Sequence, residues 1–276
     1  MSRIKTFVFG RGSYWAYIII TVLFMITPEE YFIKSSFNKN WSDAFNVLFN
    51  RILIGFIVLI IVNVLYWVCC RVRKNVILSG DNFEIQVSYG DLLDIPSGKI
   101  VINFDECYTT SIGDATADIK ADTVCGQYIL KHPEMNIQEI IKYSGVMPEK
   151  GKSKYNHKDK YKPGTIVPNG RYLLMAFAKL DDNGRGCLTY KEYTECLNYL
   201  WEQIDRYHGT DDVYIPIFGS NITRFDRDLS QQELLDIIIT SYWLSPWRMK
   251  KPRKLHIICK KQEGFSLGDV SSIIHH

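Results

Sequence analysis

The chain has 276 residues, 46% of them apolar, which is room for one large or two modest domains with a real core. Its 33 lysines and arginines nearly balance 30 aspartates and glutamates, and the two signs are interspersed, so bulk charge gives no reason to expect a nucleic-acid partner. Seven cysteines, an odd number without a C-x-x-C pair, argue against a disulfide framework or a structural zinc site.

The first feature along the chain is an apolar run over residues 14–26, YWAYIIITVLFMI, which reaches spanning length over about 13–28 if its polar edges are drawn in. A signal peptide competes for it, but Thr27-Pro28-Glu29-Glu30 offers no small-x-small cleavage site. The second run, ILIGFIVLIIVNVLYWVCC over residues 52–70, carries no charge, and at about 1.5 Å per residue it nearly crosses a hydrocarbon layer of about 30 Å. Tyr66 and Trp67 suit an aromatic belt, and Asn63 is the one strongly polar side chain well inside, placed to hydrogen-bond a neighbouring helix. Residues 1–75 therefore read as a two-helix transmembrane hairpin. Arg3, Lys5 and Arg11 precede it and Arg71, Arg73 and Lys74 follow it, which puts both termini in the cytoplasm.

From residue 76 to 276 the composition is that of a globular domain. Strand-like runs at 83–87, 99–103, 172–178, 213–217 and 255–259 alternate with helical patterns at 124–130, 136–143, 190–207 and 231–242. Alternation of this kind predicts an α/β/α sandwich around a mixed or parallel sheet, with ligands beyond the carboxyl ends of the strands. Cys107, Cys125, Cys187, Cys196 and Cys259 read as small core residues of a reducing compartment. Residues 145–165, GVMPEKGKSKYNHKDKYKPGT, read as an inserted lysine-rich solvated loop that could also touch anionic headgroups.

Residues 181–192, DDNGRGCLTYKE, imitate a calcium loop, but Arg185 stands where a ligand oxygen belongs. The stretch reads instead as a glycine turn into a helix, with Thr189 as cap and Glu192 completing a capping box, and no metal site is expected. Nucleophile elbow, Walker and Rossmann patterns are missing, so the chain names no catalytic residue. What carries chemistry is a set of loops at strand ends: Gly90-Asp91-Leu92-Leu93, then Asn103-Phe104-Asp105-Glu106-Cys107, then Cys125-Gly126-Gln127 opening a helix, and last Phe218-Gly219-Ser220-Asn221-Ile222-Thr223. Backbone N–H groups in glycine turns and at helix starts carry partial positive charge, and two such loops face to face can grip a pyrophosphate.

The order of these loops resembles the macro domain, an α/β/α module that binds ADP-ribose and its relatives. The resemblance spans about residues 80–262. It implies Asp91 on the adenine beside Leu92; Gly126 with Cys125, and the run Phe218, Gly219, Ser220, Asn221, Ile222 and Thr223, around the phosphates; and Asn103, Asp105 or Glu106 near the distal ribose and its substituent. INFDECYTT and VCGQY stand where hydrolytic macro domains carry an Asn-Ala-Ala-Asn element and a glycine-rich loop. Behind two spans, that pair of segments resembles the transmembrane-macro effectors of bacterial Thoeris antiphage systems. The resemblance implies a non-enzymatic sensor in the bacterial inner membrane with no resident cofactor. Its ligand would be an ADP-ribose-type nucleotide, such as an amino-acid adduct, made by a TIR-domain partner. Binding would drive homo-oligomerisation and disruption of the lipid bilayer, leading to abortive infection. The alternative is a membrane-anchored hydrolase of ADP-ribose adducts with Asp105 or Glu106 activating water.

Overall fold

A computed structural model describes residues 11–34, 42–155, 157–220, 223–262 and 265–270. The chain divides into two units, residues 1–73 and 74–276.

The first unit contains α1 (Arg11–Ile26), α2 (Glu29–Lys34) and α3 (Asp43–Val72). Helix α3 begins nine residues before the apolar run predicted from sequence, because Ser42 caps it by accepting the Phe45 N–H and Asp43 sits in the favourable first turn. Among the described residues one helix is long and apolar enough to cross a membrane, over Asp43–Tyr66. Helix α1 is apolar too, but over the described residues its 16 positions cover only about 24 Å, short of the hydrocarbon layer, so among the described residues there is one full span and not two. The two helices pack together where Gly55 leaves room for Ile20 and Phe24. Asn63 donates to the Leu59 carbonyl (2.8 Å) and accepts from the Ser13 hydroxyl (3.3 Å), so the polar side chain expected to reach a neighbouring helix does so.

In the second unit, strands β1 (Asn75–Ser79), β2 (Glu84–Tyr89), β3 (Lys99–Asp105), β4 (Ile166–Asn169), β5 (Tyr172–Leu180), β6 (Gly186–Leu188), β7 (Val213–Pro216), β8 (Arg224–Phe225) and β9 (Leu255–Cys259) form one sheet. Its order is β1-β2-β9-β7-β3-β5-β6-β8, with β4 pairing β5 beside that path. Strands β2, β9, β7, β3 and β5 run parallel; β1 is antiparallel to β2, β4 and β6 are antiparallel to β5, and β8 pairs parallel with β6. The parallel strands are buried on both faces, which is why they read as continuous apolar runs. One face, with Val101, Met175, Phe177 and Ile257, packs under α6 (Tyr190–Tyr207) and α7 (Gln231–Leu244), where Trp201 and Tyr242 meet edge to face. The other, with Ile100, Ile102, Phe104 and Leu174, packs under α4 (Val124–Lys131) and α5 (Ile137–Ser144). The predicted three-layer sandwich with a mixed sheet is present. A short helix, α8 (Leu267–Val270), closes the described chain against β1.

Two expectations are corrected. Cys187 is half-exposed on the short strand β6, unlike the other four cysteines, which are buried. The lysine-rich loop is not simply solvated: Ser153 and Tyr161 are buried beneath it, and Lys152 bridges to Asp159 across it. The calcium-like stretch forms the turn and cap expected of it. Asp181 Oδ1 accepts the Asn183 and Arg185 N–H groups in the β5–β6 hairpin, and Thr189 and Glu192 make a reciprocal capping box on α6.

Candidate functional site

The carboxyl ends of β2, β3, β5, β7 and β9 converge on a cleft of about 180 Å³. That is less than the roughly 300–1,000 Å³ of an ordinary small-molecule site, so an extended ligand would lie along it with part of its length in solvent.

One wall comes from the turn after β7. Gly219 adopts φ +82°, and a Cβ there would stand 2.6 Å from the Phe225 ring, so glycine is required both for the backbone and for the space. Ser220 and Thr223 continue that wall. Asn221 and Ile222 lie outside the described residues. Phe218 is buried behind the wall, its carbonyl accepting the Tyr193 hydroxyl (3.2 Å).

The wall at α4 includes Thr123, Val124 and Cys125. Gly126 is not part of it. Its N–H is taken by the Thr123 hydroxyl (3.0 Å), and a Cβ would lie 2.2 Å from the Lys120 carbonyl, so the residue is glycine to let α4 pack against the preceding loop. Burial, and then the neighbouring Asp105, push the Cys125 thiol well above the ordinary range, so it is no thiolate nucleophile.

At the inner end β3 and β5 shift register between Phe104 and Asp105. Such a bulge re-aims the side chain at a strand end. Asp105 is 6% exposed; its Oδ1 accepts the Cys107 N–H (2.9 Å) and the Thr109 N–H (3.0 Å), while its buried Oδ2 has no protein partner. Burial outweighs those hydrogen bonds and holds this carboxyl above its usual range, with the adjacent Glu106 acting in the same direction. Asn103 stands beside it on the wall. Glu106 does not reach the cleft: Oε1 accepts the Ser153 hydroxyl (2.8 Å) and the Leu180 N–H (3.2 Å). At the far end Gly90 and Leu92 form the wall, and Asp91 between them is exposed, one oxygen capping a 3-10 turn through the Leu93 N–H (2.9 Å).

The residues missed from sequence are the roof and the cations. Thr116 to Lys120 line the cleft from a loop closed by an Ile112–Ile119 bridge. The Lys120 ammonium holds the Gly113 and Ala115 carbonyls (3.1 and 3.2 Å), and Asp118 accepts the Ala115 N–H. Lys260 lines the cleft beyond β9, and Gln231 does so from the start of α7. Two lysines, a helix N-terminus and a glycine turn favour an anion, while the acid most deeply buried there is held toward its neutral form.

The family model described as Thoeris protein ThsA, Macro domain, matches residues 85–260. The Thoeris protein ThsA of Bacillus amyloliquefaciens (strain Y2) is 28% identical over 224 residues, which cover 77% of this chain and 73% of that protein. Among solved structures, a mutant macrodomain of Oceanobacillus iheyensis aligns with a TM-score of 0.44 at 7% identity, covering 69% of this chain and 91% of that one. The macrodomain of Thermus aquaticus DarG aligns with a TM-score of 0.39 at 14% identity, covering 64% and 98%.

Proposed function

The chain belongs to the macro-domain family of the Thoeris protein ThsA and carries that family's ligand-binding domain of Thoeris defence, and from this premise we propose that it is a membrane-anchored receptor for an ADP-ribose-type nucleotide. The observation that carries the reading is the cleft walled by the Gly219 turn, the start of α4, Lys120 and Lys260. A diphosphate lies along the glycine turn and the helix start, where backbone N–H groups and two ammonium groups meet its charge. The adenine end faces Gly90, Leu92 and the exposed Asp91. The distal sugar and its substituent reach Asn103 and the unpartnered oxygen of Asp105. A TIR-domain partner supplies the nucleotide, and the chain itself holds no resident cofactor.

In this reading α3 crosses the bacterial inner membrane, with α1 packed along it. Occupancy favours an assembly of several copies, since two helices cannot line a pore, and the assembly disrupts the bilayer. The reading as binder rather than hydrolase rests on the departure of INFDECYTT and VCGQY from the elements of hydrolytic macro domains. A carboxyl raised by burial is itself compatible with a general base, so Asp105 is the residue the hydrolase alternative would use.

The test is calorimetric titration of the full chain in detergent with ADP-ribose. Gly219→Glu, which places a carboxylate and a strained backbone at the diphosphate, is expected to abolish binding, and Lys260→Ala, an exposed truncation, to weaken it by roughly tenfold, the effect of one charge-assisted hydrogen bond. Equal affinity in wild type and both variants defeats the placement of the nucleotide. Turnover of an ADP-ribose adduct that is lost in Asp105→Asn would establish the hydrolase instead.

A further inference from the structure

The lysine-rich segment leading out of α5 carries Lys150, Lys152, Lys154, Lys158, Lys160 and Lys162 against Glu149 and Asp159, the latter paired with Lys152 (2.6 Å). A merely solvated charge run needs no buried anchor, and this one has several. The Ser153 hydroxyl donates to Glu106 Oε1 (2.8 Å), and the Tyr161 N–H donates to the Glu106 carbonyl (2.8 Å). Across the loop the Glu149 N–H meets the Lys160 carbonyl and the Ser153 N–H meets the Lys158 carbonyl. The backbone is thus folded back on itself, with Lys150, Lys152, Lys154 and Lys158 exposed on its outside. Beside them stand two apolar side chains that a purely aqueous surface would not select: Tyr143 is 87% exposed and Met147 82%.

The topology places this surface at a definite end of the domain. Glu106, its anchor, directly follows β3. Strand β1 is antiparallel to β2, so Lys74, where the chain leaves the apolar N-terminal unit, lies at the carboxyl end of β2, its carbonyl accepting the Tyr89 N–H (3.2 Å). Because β2 and β3 belong to the parallel set, Tyr89 and Glu106 share one end of the sheet. Lys74, just before β1, and Glu106 are then four inter-strand steps apart, which is roughly 19 Å at about 4.8 Å per step. The tether and the cationic loop therefore occupy the same end.

We infer that the loop over residues 145–165, with Tyr143 and Met147, is a docking surface for anionic lipid headgroups. Lysines near an anionic leaflet gain attraction that salt screens, and Tyr143 and Met147 suit the headgroup boundary. The inference rests on the membrane reading of α3.

The test uses the full chain in lipid nanodiscs of phosphatidylcholine alone, or with phosphatidylglycerol added, and reads backbone hydrogen exchange over residues 145–165 by mass spectrometry. Exchange is expected to slow by roughly fivefold or more in the anionic discs, the factor supplied by one engaged lysine. High salt should reverse the slowing. Replacing Lys150, Lys152, Lys154 and Lys158 together by Gln should remove it while leaving ADP-ribose affinity in detergent, without anionic lipid, unchanged. Identical exchange in both discs overturns the inference, as does slowing in neutral discs that follows addition of ADP-ribose, which would assign the loop to the nucleotide. A chain that co-elutes with neither disc overturns the membrane reading itself, a result distinct from either.

Discussion

Asp105 is the residue on which the chemistry of the cleft turns. One oxygen is committed to the Cys107 and Thr109 N–H groups, and the other is buried with the Thr109 hydroxyl nearby but no hydrogen bond of good geometry. Its folded pKa is raised above an unfolded value of about 3.9, so the folded state binds the proton more tightly than the unfolded one. Stability from this group is fully present below about pH 3.9 and is lost as pH rises through the folded pKa. Asp105→Asn, which keeps the acceptor for both N–H groups but cannot ionise, should therefore melt with the wild type near pH 4 and progressively above it as the pH approaches 7. Wild type becoming the more stable of the two as pH rises would show that folding lowers this carboxyl's pKa instead of raising it. Asp105→Ala instead strands two buried N–H groups and should cost about 1–3 kcal/mol at every pH, measured by denaturant melts. Side-chain type alone marked Asp105 and Glu106 as equal candidates. Their division of labour was not legible, because it depends on the bulge at Phe104 and on Ser153, 47 residues further along the chain. Lys120 and Lys260 escaped for a similar reason: a lone lysine in a loop carries no local signal, and only the convergence of strand ends gives it a ligand to face.

At the scale of elements, the helix starts show how local chemistry and tertiary placement agree. Thr189 and Glu192 cap α6 reciprocally, and Lys179 on β5 reaches Glu192 (2.7 Å), so the cap also ties the helix to the sheet. Thr189→Ala should cost about 1 kcal/mol, lowering the melting midpoint of a domain this size by roughly 2–4 °C, read by calorimetry. A variant as stable as wild type would mean that water satisfies those N–H groups equally well. The signal T-x-x-E followed by helical periodicity is why the bounds of α6 were readable, and the buried apolar runs made β3, β5 and β9 readable likewise. Strands β1, β4, β6 and β8 were not. Strand β1 follows an apolar helix after two residues, and its exposed–buried alternation is too short to stand apart. Strand β8 is two residues long and exists only through pairing with β6. Such edge segments have little intrinsic pattern and take their conformation from the neighbour they pair with.

For the whole molecule, the proposed activity has an energetic ceiling that can be measured. If the nucleotide bound only the assembled state, a concentration a hundredfold above Kd would contribute about 2.7 kcal/mol per subunit, roughly a hundredfold in the assembly equilibrium for each copy. The resting chain must then be poised so that such a factor matters, and the outcome must depend on its density in the bilayer. Liposomes carrying the full chain and a self-quenched dye should release it on addition of ADP-ribose or an amino-acid adduct, more steeply at higher protein-to-lipid ratio. Gly219→Glu should leave them tight. Leakage that ignores the nucleotide would separate the membrane unit from the cleft, and leakage linear in protein density would mean that single copies disorder lipid without assembling. The lysine-rich loop offers a further lever on the same equilibrium if its contact with anionic lipid favours the assembled state. Anionic lipid should then lower the nucleotide concentration needed for release, and Gln at Lys150, Lys152, Lys154 and Lys158 should cancel that advantage without closing the cleft.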